Sequence, residues 1–167
     1  VESVFMMNGP NDNQQNAELD IPTLPPIIFG VPVFIGVLVH VFLWQYGVLG
    51  GVFGVVIGAV LVTTGVGLIF WGWKTLAAHG EHPEPDQPTK TLVMTGPFRR
   101  TRNPFYVSFL LIGIGIAVAV NSLAMFIAVF VGAAALNVLV VRAEEAYLGR
   151  IFGDLYTDYV DRTRRWF

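Results

Sequence analysis

The sequence predicts an all-α integral membrane protein: four transmembrane helices arranged as two hairpins, then a C-terminal amphipathic helical segment at the cytoplasmic surface. Three observations carry this prediction. Hydrophobic residues make up 54% of the chain and charged residues 13%, against about 25% charged in a soluble domain, so lipid is the expected solvent. Four segments free of Lys, Arg, Asp and Glu stand at Pro26–Tyr46, Gly50–Trp73, Pro104–Val120 and Leu123–Val141. All ten Lys and Arg residues fall in two stretches, Lys74–Asn103 and the tail after Val141.

The 167 residues suit one domain of ordinary size, expected over 26–167 behind a polar tail at 1–25. That tail holds Glu2, Asp12, Glu18 and Asp20 but no Lys or Arg, so it lacks the basic n-region of a secretory signal. The first, second and fourth apolar segments reach the roughly 17–25 residues that a spanning helix needs; the third is short and calls for a thinned or protein-lined part of the bilayer. The connections "GVLG" after Tyr46 and "NS" at Asn121–Ser122 are tight and uncharged. The basic stretches should stay in the cytoplasm. An even number of spans then leaves both termini on that side, in the inner membrane.

Gly50, Gly54 and Gly58 recur every fourth residue in the second segment, and small residues so spaced let helix backbones approach closely. Gly65 and Gly67 add a weaker candidate for a cofactor contact. "HGEHPEPDQPTK" carries three prolines and no apolar period, so the loop 74–103 should not contain a regular helix there. In the tail, Tyr147/Leu148, Ile151/Phe152, Leu155/Tyr156 and Tyr159/Val160 repeat every four residues, an amphipathic stripe. Gly153 should break it and Asp154 cap the second piece, while Trp166 and the late arginines suit the headgroup level.

Absences narrow the chemistry. There is no cysteine, which excludes disulfides, thiolate metal sites and thiol nucleophiles. The scattered His40, His79 and His82 do not suggest a metal centre, and none is expected. No nucleic-acid partner is expected either.

The polar residues converge at one end. Asn103 before Pro104 is a helix start, with Asn as N-cap and Pro at the first helical position. A helix N-terminus offers free N–H groups and a partial positive charge, and Arg102 beside it completes an anion site. The short Asn121–Ser122 turn makes the third and fourth spans antiparallel neighbours. Glu144 and Glu145, directly after the fourth, should therefore lie near Arg102 and Asn103. A buried carboxylate pair needs a partner. A salt bridge to Arg102 or Arg142 meets that need; so does a bound zwitterion, its carboxylate at the arginine and its cation at the glutamates.

"TLVMTGPFRRTRNPFYVSFLL" followed by "EEAYLGRIFGDLYTDYVDRTRRWF" resembles the isoprenylcysteine carboxyl methyltransferase and phospholipid methyltransferase family, and more narrowly its small bacterial members. The pieces that carry the resemblance are a G-P-[FY]-R turn, an R-[HN]-P-x-Y helix start, an E-E pair and F-G-x-x-Y-x-x-Y. It spans roughly 24–167 and is strongest over 92–167. The resemblance implies S-adenosylmethionine as methyl donor, in a cytoplasmic pocket roofed by the C-terminal segment. It implies that Arg102, Asn103 and Tyr106 hold the amino-acid end. Glu144 and Glu145 would then meet the ammonium or the ribose hydroxyls, and the backbone from Val93 through Gly96 to Phe98 would line the adenosine. Asn103 stands where prenylcysteine methyltransferases carry histidine; it donates a hydrogen bond but cannot become cationic.

The expected activity is methyl transfer from S-adenosylmethionine to a lipid-soluble or amphiphilic acceptor. Transfer of this kind rests on proximity and alignment, and Arg99 and Arg142 are the candidates to orient an anionic acceptor. Membrane lipid is the expected surround. The alternative is a non-catalytic accessory subunit of a larger membrane complex; a nicotinamide-dependent sterol-type reductase fits less well, because such enzymes have many more spans.

Overall fold

The computed structural model describes residues 25–43, 51–81 and 89–166, and every named element among them is helical. In chain order these are α1 (Pro25–Phe42), α2 (Val52–Ala78), a 3-10 turn (Gly96–Arg99), α3 (Pro104–Ala119), α4 (Leu123–Leu136), a π-helical turn (Asn137–Val141), α5 (Arg142–Phe152) and α6 (Asp154–Arg162). The expectations for the polar N-terminal tail, for "GVLG" with Gly50, and for His82 fall outside the described residues.

Among the described residues, three helices are long and apolar enough to cross a membrane: α1 with 18 residues, α2 with 27, and the unbroken run Leu123–Phe152 with 30. α3 has 16 residues. At 1.5 Å per residue that is about 24 Å, short of a hydrocarbon core about 30 Å thick.

Packing departs from two separate hairpins. α3 and α4 do form one, through Asn121 in the left-handed region (φ 54) and Ser122, whose hydroxyl accepts from Met125 N at 3.2 Å and caps α4. Such a cap contributes about 1 kcal/mol. α1 packs chiefly on α4, and α2 on α3, so the order across the bundle is α1, α4, α3, α2.

Missing side chains explain both outer contacts. In α2, Gly58, Gly65 and Gly72 are buried and recur every seven residues, so they share one helix face. A Cβ on Gly58 would strike the Gly115 carbonyl oxygen, and one on Gly65 would lie 2.9 Å from that of Ser108. The working spacing is therefore seven, with Gly54 also buried. Gly65 is spent on this contact, and Gly67 has nothing near its Cβ position among the described residues.

Between α1 and α4, a Cβ on Gly36 would sit 2.5 Å from Ala128 Cβ. Phe29 fills the space left by Gly113 and Gly132 and stacks on Phe109 with ring centroids 5.8 Å apart. Around it lie Tyr106, Val129, Leu136, Val140 and Val141, the central core.

Two helix boundaries also move. α2 runs on to Ala78, five residues past Trp73, because Lys74–Ala78 holds no Gly or Pro. It ends at Gly80 (φ 71), where Gly80 N and Glu81 N donate to Ala77 O and Leu76 O, the paired bonds of a Schellman end. The fourth span does not stop at Val141. It continues without a break to Phe152, since no proline intervenes, and ends at Gly153 (φ 53). Asp154 then stands in the first turn of α6 and makes no side-chain cap.

Candidate functional site

The turn Asn121–Ser122 marks one end of the bundle. At the other end meet the last turns of α2, the 3-10 turn, the start of α3, α5, α6 and the segment 163–166.

Gly96 positions the 3-10 turn. Its φ is +59, and a Cβ there would lie 2.6 Å from Thr75 Oγ1, so both backbone and space require glycine. Next to it, Glu81 is buried and its carboxylate accepts from Lys90 N at 3.0 Å and Thr91 N at 2.5 Å. That clamp sets the entry to the strand-like approach to Val93, itself buried. His79 is exposed, with Nδ1 2.8 Å from Thr75 O, and no cluster of His, Asp and Glu suited to a metal occurs among the described residues.

The C-terminal segment returns to the start of α3. Thr101 and Arg164 form a parallel bridge, and Arg102 N donates to Arg164 O at 2.9 Å. Arg165 O then accepts twice, from Thr101 Oγ1 and from Asn103 Nδ2, each at 3.0 Å. Asn103 does occupy the N-cap position before Pro104, but its side chain makes no cap bond. The amide is taken by the returning C-terminal segment instead, through Arg165 O. Trp166 packs against the central core.

Above this segment, Tyr159 donates from its hydroxyl to Phe98 O at 2.6 Å, tying α6 to the 3-10 turn. Burial, and then the neighbouring Tyr156, push the Tyr159 phenol well above its ordinary range. Burial and Glu145 likewise push Tyr156 up, against the pull of Arg102 and Arg165. Both phenols stay neutral donors at physiological pH.

The glutamates take separate roles. Glu145 Oε1 lies 3.2 Å from Arg102 Nη1, and both side chains are nearly buried, 14% and 11% exposed. Arg165 grips the same carboxylate with two bonds, Nη2 to Oε2 at 2.6 Å and Nε to Oε1 at 3.0 Å. A fork of this kind is the strong form of a guanidinium–carboxylate pair. Glu144 instead accepts from the Tyr106 hydroxyl at 2.6 Å. Tyr106 thereby joins Glu144, next to the Glu145 that pairs with Arg102. Arg102 Nε is buried and has no partner among the described residues.

Arg102, Asn103, Tyr106, Glu144 and Glu145 are thus brought together, with Gly96 and Phe98 in the 3-10 turn that ties to α6 through Tyr159 and Val93 three residues before it. Arg99 and Arg142 are exposed and stand apart from the buried cluster. Sequence reasoning missed Arg165, Thr101, Tyr159 and Glu81. For Arg165 the available signal was "RTRRWF", three arginines close to the C-terminal aromatics, though nothing there selects one of them.

The model of the phospholipid methyltransferase family matches residues 53–155, more than half of the 167 residues. No curated protein matches the chain. The matched stretch runs from the start of α2 into α6, so it contains the glutamates and Arg102 but stops short of Arg165.

Proposed function

The chain belongs to the phospholipid methyltransferase family, and we propose that it transfers a methyl group from S-adenosylmethionine to an amphiphilic or lipid acceptor at the cytoplasmic face of the inner membrane. Membership supports methyl transfer to lipid-type substrates. The confinement of all ten Lys and Arg residues to two stretches, Lys74–Asn103 and the tail after Val141, supports the cytoplasmic face.

One observation carries the cofactor reading. Arg102 Nε is a buried guanidinium donor without a partner among the described residues, beside the N-terminus of α3. Glu145 pairs the charge of this guanidinium, but a buried N–H left without an acceptor is costly, and a bound carboxylate would supply one. The donor set of Arg102, Glu144 and Glu145 therefore fits a zwitterion. When bound, S-adenosylmethionine supplies an electrophilic methyl group on a sulfonium. Arg102 would hold its carboxylate, and the glutamates its ammonium or ribose hydroxyls. The backbone from Val93 to Phe98 would wall the adenosine.

The remaining residues organise the site. Tyr106 fixes Glu144 by its hydrogen bond. Tyr159 and the segment at Arg164–Arg165 hold the roof and keep water from the charged end. Arg99 and Arg142, both exposed, would meet the phosphate of an acceptor lipid.

Calorimetry with S-adenosylhomocysteine tests the reading. The purified protein is expected to bind it, and Arg102→Ala or Glu145→Ala to weaken binding at least tenfold, since a lost charged contact to a buried ligand costs roughly 2–5 kcal/mol. Absence of binding by the unmutated protein overturns the cofactor assignment.

A further inference from the structure

We propose that Asn137 is the contact for the acceptor's headgroup, its side-chain oxygen accepting a hydrogen bond from the N–H of an amine-bearing lipid. The inference rests on the methyl-transfer reading and adds the residue that holds the second substrate.

Asn137 opens the π-helical turn Asn137–Val141 in an otherwise apolar run. Its neighbours Leu136, Val140 and Val141 are fully buried. Its Oδ1 is buried too, and has no hydrogen-bond partner among the described residues. Buried side-chain oxygens are normally paired, and an unpaired one costs roughly 1–3 kcal/mol. Leucine in that place would avoid the cost. Packing alone therefore does not account for Asn137. A π turn inside an α-helix is itself frequent at functional sites.

Position supplies the rest. Leu136, Val140 and Val141 share the core with Tyr106, and the Tyr106 hydroxyl reaches Glu144. Asn137 lies seven residues before Glu144, two turns of the same helix, or about 10 Å along its axis. It stands on the apolar side of the charged cluster, where a lipid headgroup drawn inward would lie beneath a cofactor held at Arg102 and the glutamates. An amide oxygen accepts a hydrogen bond but is too weak a base to remove a proton, so Asn137 would orient the acceptor. In a phospholipid headgroup, the atom that offers both an N–H and a lone pair for methylation is an amine.

The test uses the full chain in nanodiscs of phosphatidylethanolamine, whose headgroup has N–H donors, and of phosphatidylcholine, which has none. The Asn137 side-chain carbonyl carbon, assigned by its loss in Asn137→Leu, is expected to shift between the two lipids. The same variant is expected to melt no lower than the unmutated protein and to bind S-adenosylhomocysteine within twofold of it. Methyl incorporation into phosphatidylethanolamine is expected to fall at least tenfold. An unchanged carbonyl signal in the two lipids overturns the proposal. So does a variant that melts several degrees lower and loses cofactor affinity in parallel, because Asn137 is then structural. A failure of the unmutated protein to bind S-adenosylhomocysteine defeats the methyl-transfer reading instead, and leaves the lipid-dependent carbon shift to decide the headgroup contact by itself.

Discussion

The α2–α3 interface and the charged end are held together by opposite means. Along α2–α3, contact comes from what is absent: Gly58, Gly65 and Gly115 have no side chains, and backbone meets backbone. At the charged end, contact comes from side chains that reach across the sequence, with Arg165 on Glu145 and on the turn before α3. The first kind tolerates no added atom. The second tolerates exchange of atoms but not loss of charge balance.

The largest expected effect breaks the second kind. Glu145→Ala leaves the guanidiniums of Arg102 and Arg165 facing each other without their shared carboxylate. Removing one partner of a buried ion pair costs about 3–5 kcal/mol, and thermal melting in detergent should fall accordingly. Glu145→Gln should recover part of the loss. Equal melting of all three proteins would show that the cluster does not hold the roof.

Gly58→Leu attacks the first kind, and about 3 kcal/mol is expected, at the upper end of overpacking costs. Gly67→Leu, on a face with nothing near its Cβ position, should cost almost nothing. Comparable losses from the two would mean that α2 is not seated on α3 by this face.

Helix count and most boundaries were legible because membrane helices are written locally. Uninterrupted apolar runs, Asn103–Pro104, Asn121–Ser122 and Gly153 each act through their immediate neighbours. The glycine face was half legible: small residues were visible, but spacing four and spacing seven both occur, and only the partner helix selects between them. The convergence of Arg102 with Glu145 followed from the short turn between α3 and α4. The role of Arg165 did not, because it depends on a segment that returns over 60 residues later to meet Thr101 and Asn103. No local pattern encodes that return, and it is also why Asn103 forgoes its cap.

A smaller effect sharpens the division of labour between the arginines. Arg165→Lys keeps a cation but loses the fork, and because Arg165 is 39% exposed solvent screening holds the expected cost to roughly 1 kcal/mol. Arg102→Lys should have the greater effect on S-adenosylhomocysteine affinity, since Arg102 carries the unpartnered Nε. The reverse order would move the anion site to Arg165.

The smallest expected effect is a pH dependence. Tyr156 and Tyr159 have raised phenol pKa values in the folded protein, so above the ordinary tyrosine value of about 10 the folded state holds protons that the unfolded state has lost. Their contribution is complete below that pH and declines as pH rises toward the folded values. Melting curves between pH 9 and 11, on the order of the phenol range, should show a loss that Tyr159→Phe reduces.

The π turn at Asn137–Val141 gives the longest helix a seam. Below it, residues follow the register of the lipid-embedded core; above it, Glu144 and Glu145 follow the register of Tyr106 and Arg102. Deleting one residue, such as Val138, would let the helix close into a regular α-helix with no loss of apolar length. Because a π turn takes up one residue more than an α turn, everything beyond the seam would keep nearly its present direction. The glutamates would then still face Tyr106 and Arg102, so the extra residue at the seam is taken up in the span without setting the direction of its charged end.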